Sequence, residues 1–129
     1  MQDINGGLRS AATFAATLAL AACAGGSPVK SDYAQALIQP EVTRASDTEL
    51  LVRYRVPLES NYFAAGVDYA TVGDTLRIAV NRCAINASCT PMVKGTVPPP
   101  GEHVAEARVP YRGEKVVLVF ADGEAAVAL

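Results

Sequence analysis

The chain has 129 residues, half of them hydrophobic, with a formal net charge of −2. That length suits one small domain and no more. So weak a charge argues against a nucleic-acid partner, which needs a concentrated basic surface, and no repeat at solenoid periods is visible.

Residues 1–10 carry a single basic residue, Arg9, and lead into the apolar run Ala11-Ala12-Thr13-Phe14-Ala15-Ala16-Thr17-Leu18-Ala19-Leu20, closed by Ala21 and Ala22. A positive start, a short apolar stretch and a small-residue exit describe an export signal. The run is too short for a spanning helix, which needs about 20 apolar residues. From Ala11 to Ala24 there is no polar face of helical period, which argues against an amphipathic core helix.

Leu20-Ala21-Ala22-Cys23 resembles the lipobox of bacterial lipoprotein precursors. The resemblance covers only the first 26 residues and implies nothing about the folded part. It implies that residues 1–22 are a cleaved signal helix, that the Cys23 sulfur carries a diacylglycerol, and that the new amino group takes a further acyl chain such as palmitate. Each buried methylene contributes about 0.8 kcal/mol, so two or three chains hold a protein to a bilayer almost irreversibly. Ala24 in place of an Asp implies, by the same resemblance, the periplasmic side of the outer membrane. Ala22-Cys23-Ala24 also has the A-x-A form of an ordinary export site, the other reading of this segment.

Three cysteines are present: Cys23, Cys83 and Cys89. An odd count in an exported chain leaves one thiol to explain. With Cys23 lipidated, Cys83 and Cys89 are free to pair in an oxidising compartment. Closing so short a loop contributes roughly 2.4 kcal/mol in the chain-entropy estimate.

Residues 23–40 read as a lipid-anchored flexible tether: Ala24 to Lys30 is small, Gly-rich and holds Pro28. Ser31 to Leu37 is either one or two helical turns capped by Ser31 or Asp32, or more linker. Residues 41–129 then change to a period of two. Glu41 to Ala45 is a short edge-like strand, and a turn at Ser46-Asp47-Thr48 leads into Glu49 to Val56, with Leu50, Val52, Tyr54 and Val56 on one face. Tyr62 begins another extended stretch; Gly66–Val72 and Thr75–Arg82 form a hairpin around Gly73-Asp74.

Beyond the cysteine loop, Met92 to Val97 is a short strand and Pro98-Pro99-Pro100 an extended polyproline segment. Glu102 to Tyr111 is a strand, either broken or at an edge at Pro110. Val116-Val117-Leu118-Val119-Phe120 is apolar on both faces and belongs in the middle of a sheet. Asp122-Gly123 turns it back into a last strand, Glu124 to Leu129. The expected fold is all-β: a small antiparallel β-sandwich, Ig-like or transthyretin-like in general shape.

Chemistry is sparse. The one His, His103, stands beside Glu102; a hydrolytic pair is the functional reading and a solvated strand end the plain one. No nucleophile elbow, phosphate-cradling Gly loop, redox C-x-x-C or EF-hand pattern occurs, and two Cys with one His do not fill a zinc site, so no cofactor and no metal are expected. Arg53, Arg55 and Arg77 fall on the outward phase of their strands, a basic strip for an anionic partner or simply a solvated sheet face. The stapled, proline-stiffened stretch from Cys83 to Gly101 shows Ile85, Met92 and Val93, a preorganised contact surface or armour against proteolysis. The reading as a whole is a non-enzymatic accessory or assembly subunit, moored to the membrane through Cys23, that binds an envelope protein. A module for envelope glycans or small ligands is the alternative.

Overall fold

Strict alternation of apolar and polar residues lets a strand bury one face and solvate the other. In this computed structural model, which describes residues 29–96 and 98–129, that rule builds two sheets over one core. The first has three strands: β1 (Glu41–Ser46), β2 (Glu49–Arg55) and β6 (Val104–Pro110), in that order. The second, ordered β5-β3-β4-β7-β8, contains β3 (Tyr62–Val72), β4 (Thr75–Ala84), β5 (Val93–Lys94), β7 (Lys115–Phe120) and β8 (Gly123–Val127). The fold is all-β and sandwich-like, as expected. The lipobox-like run, the expected signal segment and the first part of the expected tether lie outside the described residues.

The inner faces follow the alternation closely. Leu50, Val52 and Tyr54 of β2 stand opposite Val109, Ala107 and Ala105 of β6, and all six are buried. The other sheet contributes Val67, Leu76, Ile78, Val80, Val116, Leu118 and Phe120 to the same core. A fully buried side chain of the Val, Leu, Ile or Phe type contributes about 1.5–3 kcal/mol, so this cluster is the main source of stability.

The β3–β4 hairpin has the expected register, Val72 opposite Thr75 across Gly73-Asp74, with Gly73 at φ 63°. The last hairpin also forms, but its turn sits one residue earlier than Asp122-Gly123: Phe120 pairs with Gly123, so Ala121 and Asp122 make the bend. β7 is interior, between β4 and β8, which explains why both of its faces are apolar. The sheet is not wholly antiparallel, because β4 and β7 run parallel from Thr75–Lys115 to Ile78–Leu118. Between them the chain visits the other sheet to form β6, so it returns beside β4 in the same direction.

The tether boundary at residue 40 needs correction. Tyr33 and Ile38 are each only 1% exposed and belong to the core. A single helical turn, α1 (Gln35–Ile38), carries Ile38 inward. Neither Ser31 nor Asp32 caps it: Ala34 holds the cap position, and the Gln35 N–H donates to Asp122 Oδ1 at 3.2 Å. Residues 31–33 lie beyond the point where β4 and β7 stop pairing. Ser31 Oγ donates to the Val80 carbonyl, and the Tyr33 carbonyl accepts from Ala121 N at 2.8 Å. Two large apolar side chains within a short stretch were the visible sign that it folds with the rest.

Candidate functional site

Alternation puts one of any two adjacent strand side chains outside. Tyr62 and Phe63 open β3 as such a pair, and both are exposed, at 39% and 43%. Tyr62 stands opposite Ala84 and Phe63 opposite Cys83. Cys83 is buried and bonded to Cys89 with a Cα–Cα separation of 5.9 Å, the pairing expected from the cysteine count. The closed loop is tied to β3 by Ile85 N donating to the Asn61 carbonyl at 2.9 Å. Tyr62 and Ile85 then share a depression of about 380 Å³ with Ser60, Asn61, Ala84 and Asn86.

Beneath this surface lies the most connected polar cluster among the described residues. Glu59 uses both carboxylate oxygens: Arg82 donates from Nε at 3.0 Å and Nη2 at 2.6 Å to Oε1, and the Tyr33 hydroxyl donates to Oε2 at 2.7 Å. The Arg82 guanidinium sits 4.0 Å from the Tyr62 ring centroid and 5.6 Å from that of Tyr33. Such cation–π contacts hold an aromatic ring in place. Burial first, then the hydrogen bond and charge of Glu59, push the Tyr33 hydroxyl well above its ordinary value, against the opposing pull of Arg82. Partial burial works to raise the Glu59 carboxyl, but its bonds from Tyr33 and Arg82 and the Arg82 charge outweigh this and hold it low. The Glu59 bond in turn raises Arg82. At neutral pH the cluster is therefore a fixed carboxylate–guanidinium pair with a neutral phenol.

The residues singled out in the sequence are only partly assembled. Arg53 and Arg55 lie on β2, whereas Arg77 lies on β4 in the other sheet, so the three arginines form no single strip. Arg53 pairs with Glu106 at 3.1 Å on the neighbouring strand, the ordinary cross-strand use of outward charges, and Arg77 reaches across β7 to Glu124. Arg55 and His103 together line two shallow clefts of about 230 and 250 Å³. Ile85 and Met92 are exposed, at 59% and 58%. Met92 is held against β3 by its N–H, which donates to Asp68 Oδ1 at 3.0 Å. Val93 is half-buried against the core as part of β5, so it packs the fold instead of facing a partner. Glu102 and His103 are both exposed, and the His103 carbonyl accepts from Val56 N, a structural bond that closes the end of β2.

Sequence reasoning missed Tyr62, Phe63, Glu59 and Arg82. The adjacent aromatics were the available signal, because two neighbours on a strand cannot both face the core. Nothing local joins Glu59 to Arg82; only the path of the segment before β3 across the end of β4 does so.

Among the described residues no group of three His, Cys, Asp or Glu side chains is placed to hold a metal ion. None of their helices is long and apolar enough to cross a membrane. No protein-family model, curated protein or solved structure matches the chain.

Proposed function

We propose that this chain is a bacterial envelope lipoprotein, anchored through acylated Cys23 on the periplasmic side of the outer membrane, whose β domain serves as a non-enzymatic accessory or assembly subunit. Its partner is an envelope protein docked on the Tyr62–Ile85 surface. One observation carries the docking reading. Exposed Tyr62 and Ile85 share a depression, and both are held rigid from below, by Arg82 and Glu59 on one side and the Cys83–Cys89 loop on the other. Aromatic side chains fixed before binding lose little entropy on association and are enriched among the residues that dominate interface energies. The lipobox-like Leu20-Ala21-Ala22-Cys23 supports the anchor, and pairing of the other two cysteines leaves Cys23 as the remaining thiol.

Two experiments test the two halves. In cells fed a labelled fatty acid, the wild-type chain takes up label and sediments with membranes, and Cys23→Ser does neither. Unlabelled wild type in the soluble fraction removes the anchor from the reading. Co-purification from solubilised envelopes recovers a partner with the wild-type chain and with Thr43→Ala, whereas Ile85→Asp and Tyr62→Ala each lose it. Equal recovery with all four chains places docking elsewhere.

A further inference from the structure

An edge strand presents unpaired backbone groups, and folded proteins guard such edges with charges, bulges, Pro, short length or a covering segment. Of the four sheet edges among the described residues, three carry such a device. β1 bears Glu41 and Arg44 and has an irregularity in register between Arg44 and Ser46. β5 is only two residues long. β6 ends in Pro110 and is covered by Thr96, whose N–H donates to the Glu106 carbonyl and whose Oγ1 accepts from Glu106 N, both at 2.9 Å.

Among the described residues, β8 has no bulge, no Pro and no covering segment. Its sequence is Gly-Glu-Ala-Ala-Val, it pairs with β7 without a register shift, and its one charge is engaged by Arg77. The phase of its backbone follows from a bond on the far side of β7. Lys115 N donates to the Asp74 carbonyl, so the odd residues of β7 point toward β4 and the even ones toward β8. Val116, Leu118 and Phe120 therefore bond with Val127, Ala125 and Gly123. That leaves the N–H and C=O of Glu124 and Ala126 directed outward along the free edge, and no described residue bonds to them.

We propose that this edge pairs with β8 of a second copy of the chain, antiparallel about a two-fold axis at Ala126, joining two five-stranded sheets into one. An unguarded edge needs another unguarded edge, and the chain itself supplies one at equal concentration. A two-fold contact brings the same patch of both copies together. The charges exclude one register. Centred on Ala126, each Glu124 stands opposite Ala128 of the other copy, whereas centred on Glu124 the two carboxylates face each other directly, which is unfavourable. The side chain of Ala126 is exposed and small, so nothing obstructs the approach.

Sedimentation velocity of the full chain in detergent, over a range of concentrations, tests the pairing. The wild type is expected to move reversibly from monomer to dimer. The A126K and A126E chains, each placing like charges opposite across the axis, are expected to dimerise at least tenfold more weakly alone, and their mixture to recover the dimer as a heterodimer, less so at high salt. A126P deletes an N–H that β7 does not use and is expected to stay monomeric with unchanged circular dichroism; the charge pair decides the matter if that chain does not fold. A wild type that remains monomeric throughout, whether or not it captures a strand of another protein, overturns the proposal. So does a dimer that A126K and A126E leave equally stable.

Discussion

Tyr33 and Tyr54 are both 1% exposed, yet their hydroxyls meet opposite fates. Tyr33 donates to Glu59, which also holds Arg82, so this corner of the molecule is joined by charge. The Tyr54 hydroxyl has no hydrogen-bond partner among the described residues and lies against the backbone of Gly95; a Cβ on Gly95 would come within 2.0 Å of it. Nearby, a Cβ on Gly66 would meet the Val93 carbonyl at 2.1 Å. This second corner, where the segment after β5 crosses from one sheet toward the other, is joined by close packing and by hydrogen bonds between uncharged groups, such as Gly95 N–H to the Ala65 carbonyl at 3.1 Å. A charged corner responds to acid and salt, whereas a packed corner responds chiefly to volume.

The largest effects are expected in the packed corner. Gly66→Ala is predicted to cost about 3 kcal/mol, because the obstructing atom is backbone and cannot swing aside. Gly95→Ala is predicted to cost somewhat less, and Tyr54→Phe to rescue part of that loss by removing the oxygen in the way. Denaturant unfolding of the single and double variants measures this coupling, and additive losses would show that the two groups are not in contact. Next comes the staple beside the charged corner. Cys89→Ser is predicted to cost about 2 kcal/mol, the order of the chain-entropy estimate for so short a loop, and to loosen Ile85. Glu59→Ala, which leaves the Tyr33 hydroxyl and the Arg82 guanidinium without their acceptor, is predicted to cost about 1 kcal/mol, because solvent partly replaces the lost bonds. Tyr54→Phe alone is expected to be neutral or to stabilise by less than about 1 kcal/mol, since it removes a buried group that bonds to nothing.

The smallest differences separate the corners by pH. The Glu59 carboxyl is held low in the folded chain, so its contribution is present above the ordinary carboxylate value and is lost as pH falls through the depressed one. Glu59→Gln should flatten the acid side of the stability profile. Both buried phenols are pushed up, Tyr54 to about 12 by burial alone, so the folded chain keeps protons that the unfolded chain releases above the ordinary 10.0. Stability is therefore complete below that value and falls as pH rises beyond it. Replacing either tyrosine by Phe should reduce the alkaline slope, and an unchanged slope in both variants would mean that neither hydroxyl is protected from solvent.

What could be read from residues alone was whatever depends on near neighbours. Leu50, Val52 and Tyr54 announced an inward face, Gly73-Asp74 a turn and Val116 to Phe120 an interior strand, because each rests on alternation or backbone freedom within a short stretch; the Cys83–Cys89 pair followed from the cysteine count once Cys23 was assigned to lipid. The proposed lipid anchor rests on the short run Leu20-Ala21-Ala22-Cys23 in the same local way. Tertiary structure alone decided what joins distant positions: the parallel pairing of β4 with β7, Asp122 at the start of α1, Glu59 beneath Tyr62, the separation of Arg77 from Arg53 and Arg55, and the free edge at β8. Those features depend on which strand lies beside which. Strand order follows from the packing of both sheets against one core, and no local run of residues records it.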